Sequence, residues 1–262
     1  MFSKFKQIRR GLKAARHRKQ VAVWIVSVPK SGRTWLRSTI GTYLCIKFGV
    51  DKSQALDLAK LCIELKLPII ELTHGCSDFG KYTNASDVEV QDCELWAGKK
   101  VVFITRDVKD VLVSAFHHMK YRTEEFDGDI SEFIRTDRFG VERISAALNS
   151  WKASKNTASS SIDVTYEAMH EDAEAVLISI LEFCSIPIDL DCVRDAVEFN
   201  QFENMKRLEQ KKFFSHASMR PMKSAKPEGR KTREGKTGQY MNYLSQSDVD
   251  YIDYVMGKNK RK

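Results

Sequence analysis

The run Val23-Trp24-Ile25-Val26-Ser27-Val28 is apolar, rich in β-branched residues, and ends at Pro29. Such a run reads as a parallel strand buried on both faces. A short turn, Lys30-Ser31-Gly32-Arg33-Thr34, follows, and a helical pattern begins at Trp35. A strand feeding a helix through a tight turn presents free amide N–H groups and the positive end of the helix dipole, which together make an anion cradle. Gly32 lets the main chain come close, Lys30 brings a mobile charge, and Ser31 and Thr34 bring hydroxyl donors. The order is not that of a Walker A loop, in which the lysine follows the second glycine; here Lys30 precedes the only glycine of the turn.

The 262 residues suffice for one α/β domain with its own core, which we read as 21–262, preceded by a basic segment over 1–20. Residues 1–20 carry eight Lys or Arg and no acid, and residues 206–236 carry eleven against three acids, so the rest of the chain is net acidic. The leading segment reads as a solvated helix. The later one, with Pro221, Pro227 and Gly229 and little periodicity, reads as a mobile basic flap over 208–232 that suits a polyanionic ligand. Six cysteines show neither CxxC pairs nor metal-ligand spacing, which points to reduced thiols in a cytoplasmic protein without a metal centre. No apolar run approaches the roughly 20 residues of a transmembrane helix.

Along the chain, the pattern predicts helices over 35–49, 53–66, 129–136, 140–155, 171–184 and 245–256, and extended segments over 68–74, 99–105 and 161–166. His74 closes one of these strands, where the active-site groups of open α/β sheets collect. Arg106 follows another, and Asp107 is placed to cap a helix carrying Ser114, so a second strand–helix joint also offers an anion position.

Pro29 to Leu36 resembles the Pro-Lys-Ser-Gly-Thr-Thr-Trp-Leu signature of the sulfotransferases that use 3′-phosphoadenosine 5′-phosphosulfate (PAPS), with Arg33 in place of the first Thr. Thr73-His74 resembles that family's Lys-Thr-His, which holds its catalytic base, with Leu72 in place of the Lys. Arg106 to Ser114 resembles its 3′-phosphate motif, Arg-x-Pro-x-Asp-x-x-x-Ser, without the Pro. Tyr166-Glu167 and the segment around Phe202 resemble its adenine contacts, Phe202 packing opposite Trp35. Arg233-Glu234-Gly235 resembles its Arg-Lys-Gly, with Glu234 an acid where phosphate is expected, which implies a contribution through the main chain with the side chain turned away.

The resemblance covers residues 23–245. It implies a three-layer α/β/α fold with a central, mainly parallel sheet and a P-loop-like phosphosulfate loop. It also implies in-line sulfuryl transfer from PAPS, with PAP as product and no metal, to a small-molecule or glycan acceptor. Lys30 and His74 would be catalytic. Lys30, Ser31, Gly32, Arg33, Thr34, Trp35, Arg106, Ser114, Tyr166, Phe202, Arg233, Glu234 and Gly235 would hold the nucleotide. Other readings stay open at this level: a nucleotide-dependent kinase on a related fold, a nucleic-acid-binding module using the basic segments, and a non-catalytic nucleotide-binding relative. No RNP, zinc-finger or clear helix-turn-helix pattern supports nucleic acid as a partner. The family's C-terminal dimer motif is not evident after Asn242, and the oligomeric state is not legible.

Overall fold

A computed structural model describes residues 14–79, 84–88, 95–219 and 227–258. Its centre is β1 (Val23–Ser27), buried at all five positions. Strand β1 is flanked by β2 (Ile70–Thr73) and β3 (Lys100–Thr105), with β4 (Ser160–Thr165) beyond β3, and every pairing is parallel. The order β2-β1-β3-β4 means that the chain leaves β1 toward one side and returns on the other. The crevice beyond the carboxyl ends of β1 and β3 is therefore the switch point where ligands of open α/β sheets bind.

Alternation along the strands builds two cores. Val23, Ile25, Val102, Ile104 and Val164 face helices α1 (Arg33–Phe48) and α2 (Leu58–Glu64) through Leu36, Ile40, Leu44 and Leu61. Trp24, Val26, Val101 and Phe103 face α3 (Val108–Tyr121), which contributes Val111, Leu112 and Phe116. The short α4 (Ile130–Phe133) and then α5 (Val141–Ser154) follow, and α5 adds Ile144 and Trp151 to this second core. After β4 come α6 (Tyr166–Glu171), α7 (Ala173–Phe183), α8 (Leu190–Phe199) and α9 (Phe202–Gln210). Of these, α7 and α8 complete the first core through Leu177, Ile180 and Val193. The last helix, α10 (Gln246–Lys258), closes the second through Ile252 and Val255. Three layers result, as expected, and the sheet is wholly parallel.

Several boundaries differ from expectation for local reasons. The helix expected over 53–66 is a 3-10 turn, Lys52–Gln54, followed by α2. The Asp51 carboxylate accepts from Ser53 N and Oγ at 2.9 and 2.8 Å, and a Cβ on Gly41 would lie 1.8 Å from the Ala55 carbonyl, so this turn is seated directly on the α1 main chain. Tyr166 is not strand: β4 ends at Thr165, whose hydroxyl accepts from Ala168 N–H and caps α6. Helix α4 covers only part of 129–136 and is started by reciprocal Asp129–Glu132 capping. Residues 14–20 are helical and are tied to β2 by His17 Nε2 and Glu71 Oε1 at 2.6 Å, while the expectation for residues 1–13 lies outside the described residues. Cys45, Cys62, Cys76, Cys184 and Cys192 are free thiols; Cys93 is not among the described residues. No helix of the described residues is long and apolar enough to cross a membrane.

Candidate active site

The cradle is built by two left-handed residues, Lys30 at φ 76° and Gly32 at φ 87°. For Lys30 this conformation costs about 1–2 kcal/mol. Only glycine fits at 32, because a Cβ there would come 2.5 Å from Tyr166 Cδ2. Helix α1 starts at Arg33 with no side-chain cap, and Leu36 N–H is the first amide to pair, with Gly32 O at 3.1 Å. Among the described residues, the amides of Gly32 to Trp35 find no main-chain acceptor, and the buried Ser31 hydroxyl has no partner. Donors left over in this way fit a bound oxyanion.

Arg106 links the two joints. Its Nη1 donates to Lys30 O at 3.2 Å, its Nη2 donates to Lys236 O at 3.0 Å, and its guanidinium stacks 4.0 Å from the centre of the Tyr166 ring. Its Nε is buried without a partner, a further unused donor. Asp110 accepts from Gly238 N and Tyr240 N at 2.7 and 3.0 Å and lies 3.6 Å from Arg106 Nη2, so it moors the late loop to α3. In that loop the Glu234 carboxylate accepts from Arg233 and from the Tyr243 hydroxyl. The Glu234 side chain is thus turned onto Arg233. Gly235, at φ 62°, lies against Phe202, where a Cβ would come 2.1 Å from the ring.

His74 follows β2, with Nδ1 2.8 Å from Ser27 O. A carbonyl can only accept, so Nδ1 carries the proton and Nε2 keeps its lone pair. Burial, then the cations Arg33, Lys231 and Lys30, pull the imidazole down to about 3, against the opposing Ser27 bond. Lys30 is lowered to about 8 by burial and by Arg122, Arg106 and Arg233. Lys231 is lowered to about 7 by burial and by Lys30, Arg122 and Arg33.

These groups share one cavity of about 740 Å³. It is lined by Lys30, Gly32, Arg33, Thr34, Trp35, His74, Arg106, Ser114, Tyr166, Phe202, Arg233, Glu234 and Gly235. Ser31 alone of the expected set lies behind the wall, 1 % exposed. The cavity also takes in His118, which the sequence reading did not single out, although it stands one helical turn after Ser114. Asp110 stands at the Asp of the motif Arg-x-Pro-x-Asp-x-x-x-Ser but carries no role in the sequence analysis, and the buried pair of Arg122 Nη1 and Glu209 Oε1 at 3.4 Å has no signal there. Glu209 also accepts from the amides of Lys231 and Thr232 at 3.0 and 2.9 Å, so this end of the expected flap is pinned. Residues 220–226 of the flap, and much of 79–96, lie outside the described residues. Among the described residues no group of three or more His, Cys, Asp or Glu is placed to hold a metal ion.

A parallel sheet whose two strand–helix joints bring unpaired donors together above its switch point defines an α/β protein with a donor-lined crevice. The sulfotransferase domain matches residues 20–262, and the chain belongs to that family of enzymes. Flavonol 3-sulfotransferase from Flaveria bidentis is 25% identical over 89% of this chain and 80% of its own length. Cytosolic sulfotransferase 12 from Arabidopsis thaliana is 27% identical over 87% and 74%. Among solved structures, mouse sulfotransferase SULT7A1 complexed with PAP superposes with a TM-score of 0.60 at 19% identity, covering 93% of this chain and 86% of that one. Retinol dehydratase in complex with androsterone and PAP gives 0.58 at 14% identity, over 90% and 80%.

Proposed function

We propose that this chain transfers a sulfuryl group from PAPS to a hydroxyl or amine, in line, with His74 as general base. The observation that carries the reading is that Lys30, His74 and Arg106 line one cavity while His74 Nδ1 is committed to Ser27 O, leaving Nε2 as the acceptor. PAP, the nucleotide left when PAPS loses its sulfuryl group, is bound in both structural neighbours, which supports the donor.

An alcohol is a poor nucleophile until it loses its proton. In this scheme Nε2 takes that proton as the acceptor oxygen bonds to sulfur and the bond from sulfur to the 5′-phosphate oxygen breaks. Charge gathers on the departing phosphate, where Lys30 and the free amides of Gly32 to Trp35 donate. A well-placed donor of this kind contributes about 2.7–4 kcal/mol. Arg106 Nε, Ser114 and Arg233 supply the 3′-phosphate site, and the faces of Trp35, Tyr166 and Phe202 hold the base. The negative donor also offsets Arg33, Lys231 and Lys30, so the imidazole regains basicity once the donor is bound.

The test is a melting screen followed by kinetics. PAP should raise the melting temperature more than ATP or AMP. His74→Ala should lose about 10²–10⁴-fold in turnover while keeping the PAP shift. Normal turnover in that variant would remove His74 from the chemistry, and equal shifts with PAP and AMP would remove the 3′-phosphate site.

A further inference from the structure

Among the described residues of 74–99, between β2 and β3, the helical pieces are two 3-10 turns, Gly75–Ser77 and Ala85–Asp87. A stretch with so little internal pairing takes its order from its neighbours. One face of α5 supplies it, because residues 151, 147 and 143 stand one above another and meet 75, 76 and 78 in turn. A Cβ on Gly75 would lie 3.4 Å from Trp151 Nε1, and Cys76 Sγ is 3.8 Å from Ala147 O. Arg143 Nη2 donates to Asp78 O at 2.9 Å and Nη1 to Asn84 O at 3.0 Å, so one guanidinium holds main-chain oxygens six residues apart.

Arg143 is 0 % exposed. Burying a cation is expensive, and if packing were its whole role an apolar residue would serve, as Ile144 and Ala147 do on the same helix. What the guanidinium adds is a rigid fork that reaches two acceptors at once. The segment it holds borders the reaction. Asp78 and Phe79 line the cavity with His74, and Phe79 is backed edge-on by Phe139 at 5.6 Å between ring centres. Next to Asp78, Ser77 N–H donates to His74 O at 3.0 Å. Ser77 Oγ donates to the same oxygen at 2.6 Å and lies 3.3 Å from Ser27 O, the carbonyl that fixes His74 Nδ1. These residues belong neither to the two strand–helix joints nor to the late loop given to the nucleotide. They form the wall beside the proposed base, within whose reach an acceptor hydroxyl or amine must come.

We infer that Arg143 is a positioning residue for the acceptor: from behind the wall, through the Asp78 and Asn84 carbonyls, it sets the Asp78–Phe79 surface against the His74 imidazole. This inference rests on the sulfuryl-transfer reading. It makes α5, a helix that supplies no cavity-lining residue of its own, the part that registers acceptor against base.

The experiment uses the full chain with PAPS and a panel of simple phenols, alkyl alcohols and amines, the best of which serves for kinetics. Arg143→Met should raise the acceptor KM and lower kcat, together about 100-fold in kcat/KM, the cost of roughly an ångström of misplacement. The KM for PAPS and the melting shift given by PAP should stay at the parent's values. Arg143→Lys keeps the charge but not the fork, so it should recover part of the loss and remain below the parent. Ile144→Ala, which weakens the same helix by opening a cavity in the core, should lower the melting temperature and leave the acceptor KM alone. Should Arg143→Met fail to fold, the Lys and Ile144 variants decide. Parent acceptor kinetics in either Arg143 variant overturn the inference, as does a Lys variant no better than Met. So does loss of the PAP shift in Arg143→Lys, or a rise in acceptor KM of the same size in Ile144→Ala. A parent chain that PAP does not stabilise, or that moves a sulfuryl group to no member of the panel, overturns the sulfuryl-transfer reading itself, a failure distinct from these.

Discussion

Under the proposed function Arg106 does two jobs with one side chain, and titration of its variant separates them. Its main-chain partners and the Tyr166 stack are structural, so Arg106→Ala should lower the melting temperature. Its orphaned Nε is the part that fits a phosphate. Hydrogen bonds to charged groups contribute about 1.5–3 kcal/mol, so PAP affinity should fall about 10- to 100-fold and AMP affinity much less. Calorimetric titration of both nucleotides decides this, and equal losses would leave Arg106 a purely structural residue. Glu234 poses the opposite case. Its carboxylate occupies Arg233, and the residue lines the cavity that the proposed function gives to a polyanion. Glu234→Gln removes one like charge while the Tyr243 hydroxyl still accepts from Arg233 at 2.8 Å. PAP affinity should therefore rise about three- to tenfold, the size of a partly screened contact of roughly 1 kcal/mol. A fall in the same titration would mean that Glu234 is needed to hold Arg233 in place.

At the level of elements, what could be read in the sequence was local. The β1 run, the turn at Gly32 and the Arg106–Asp107 joint announce themselves through β-branched residues, a left-handed glycine and a cap. What stayed hidden acts across distance. Asp110 binds amides about 130 residues away, and Glu209 binds the amides of Lys231 and Thr232 from the end of α9. The Glu209 contacts leave no periodicity or spacing in the chain, and Asp110, though it stands at the Asp of a motif, carries no sign there of the late loop it holds. His118 was hidden differently, because a polar residue in the last turn of a helix ordinarily faces solvent, and only the cavity beside α3 makes it otherwise. Glu209, 3 % exposed, has the largest expected effect of these groups. Glu209→Ala removes the carboxylate that faces buried Arg122 and frees the 231–232 amides. Breaking such a pair costs about 3–5 kcal/mol, or roughly 10 °C in a chain of this size. Glu209→Gln, which keeps an acceptor, should lose less. A melt in which both variants match the parent would show that the late segment is held by something other than this carboxylate.

Over the whole molecule, histidines buried beside a cluster of cations make acid the weak side of its stability curve. His74 is lowered to about 3, His118 to about 3 and His117 to about 4, in each case chiefly by burial, with nearby Lys or Arg adding to it. In the unfolded chain these imidazoles titrate near 6.5. Between pH 6.5 and about 4 the unfolded state therefore binds more protons than the folded one, and stability rises with pH across that window. Read downward, it is lost as pH falls, by up to about 1.4 kcal/mol per pH unit for each histidine. Asp248, held at about 2 by its Ser131, Arg135 and Ser245 hydrogen bonds, and Glu209, lowered as well, add a slope of the same sign only below about pH 5, where unfolded carboxylates titrate, so the histidine share is read above that pH. Denaturant melts from pH 7 to 4.5 should show the slope, and His117→Phe, which replaces a buried ring having no hydrogen-bond partner, should remove about one proton's share. Saturating PAP should make the remaining slope shallower, because its phosphates offset Lys30 and Lys231 and return His74 and His118 toward their ordinary range. The same slope with and without PAP would mean that the two imidazoles do not feel the anion, and that the nucleotide binds away from the wall they share with Lys30.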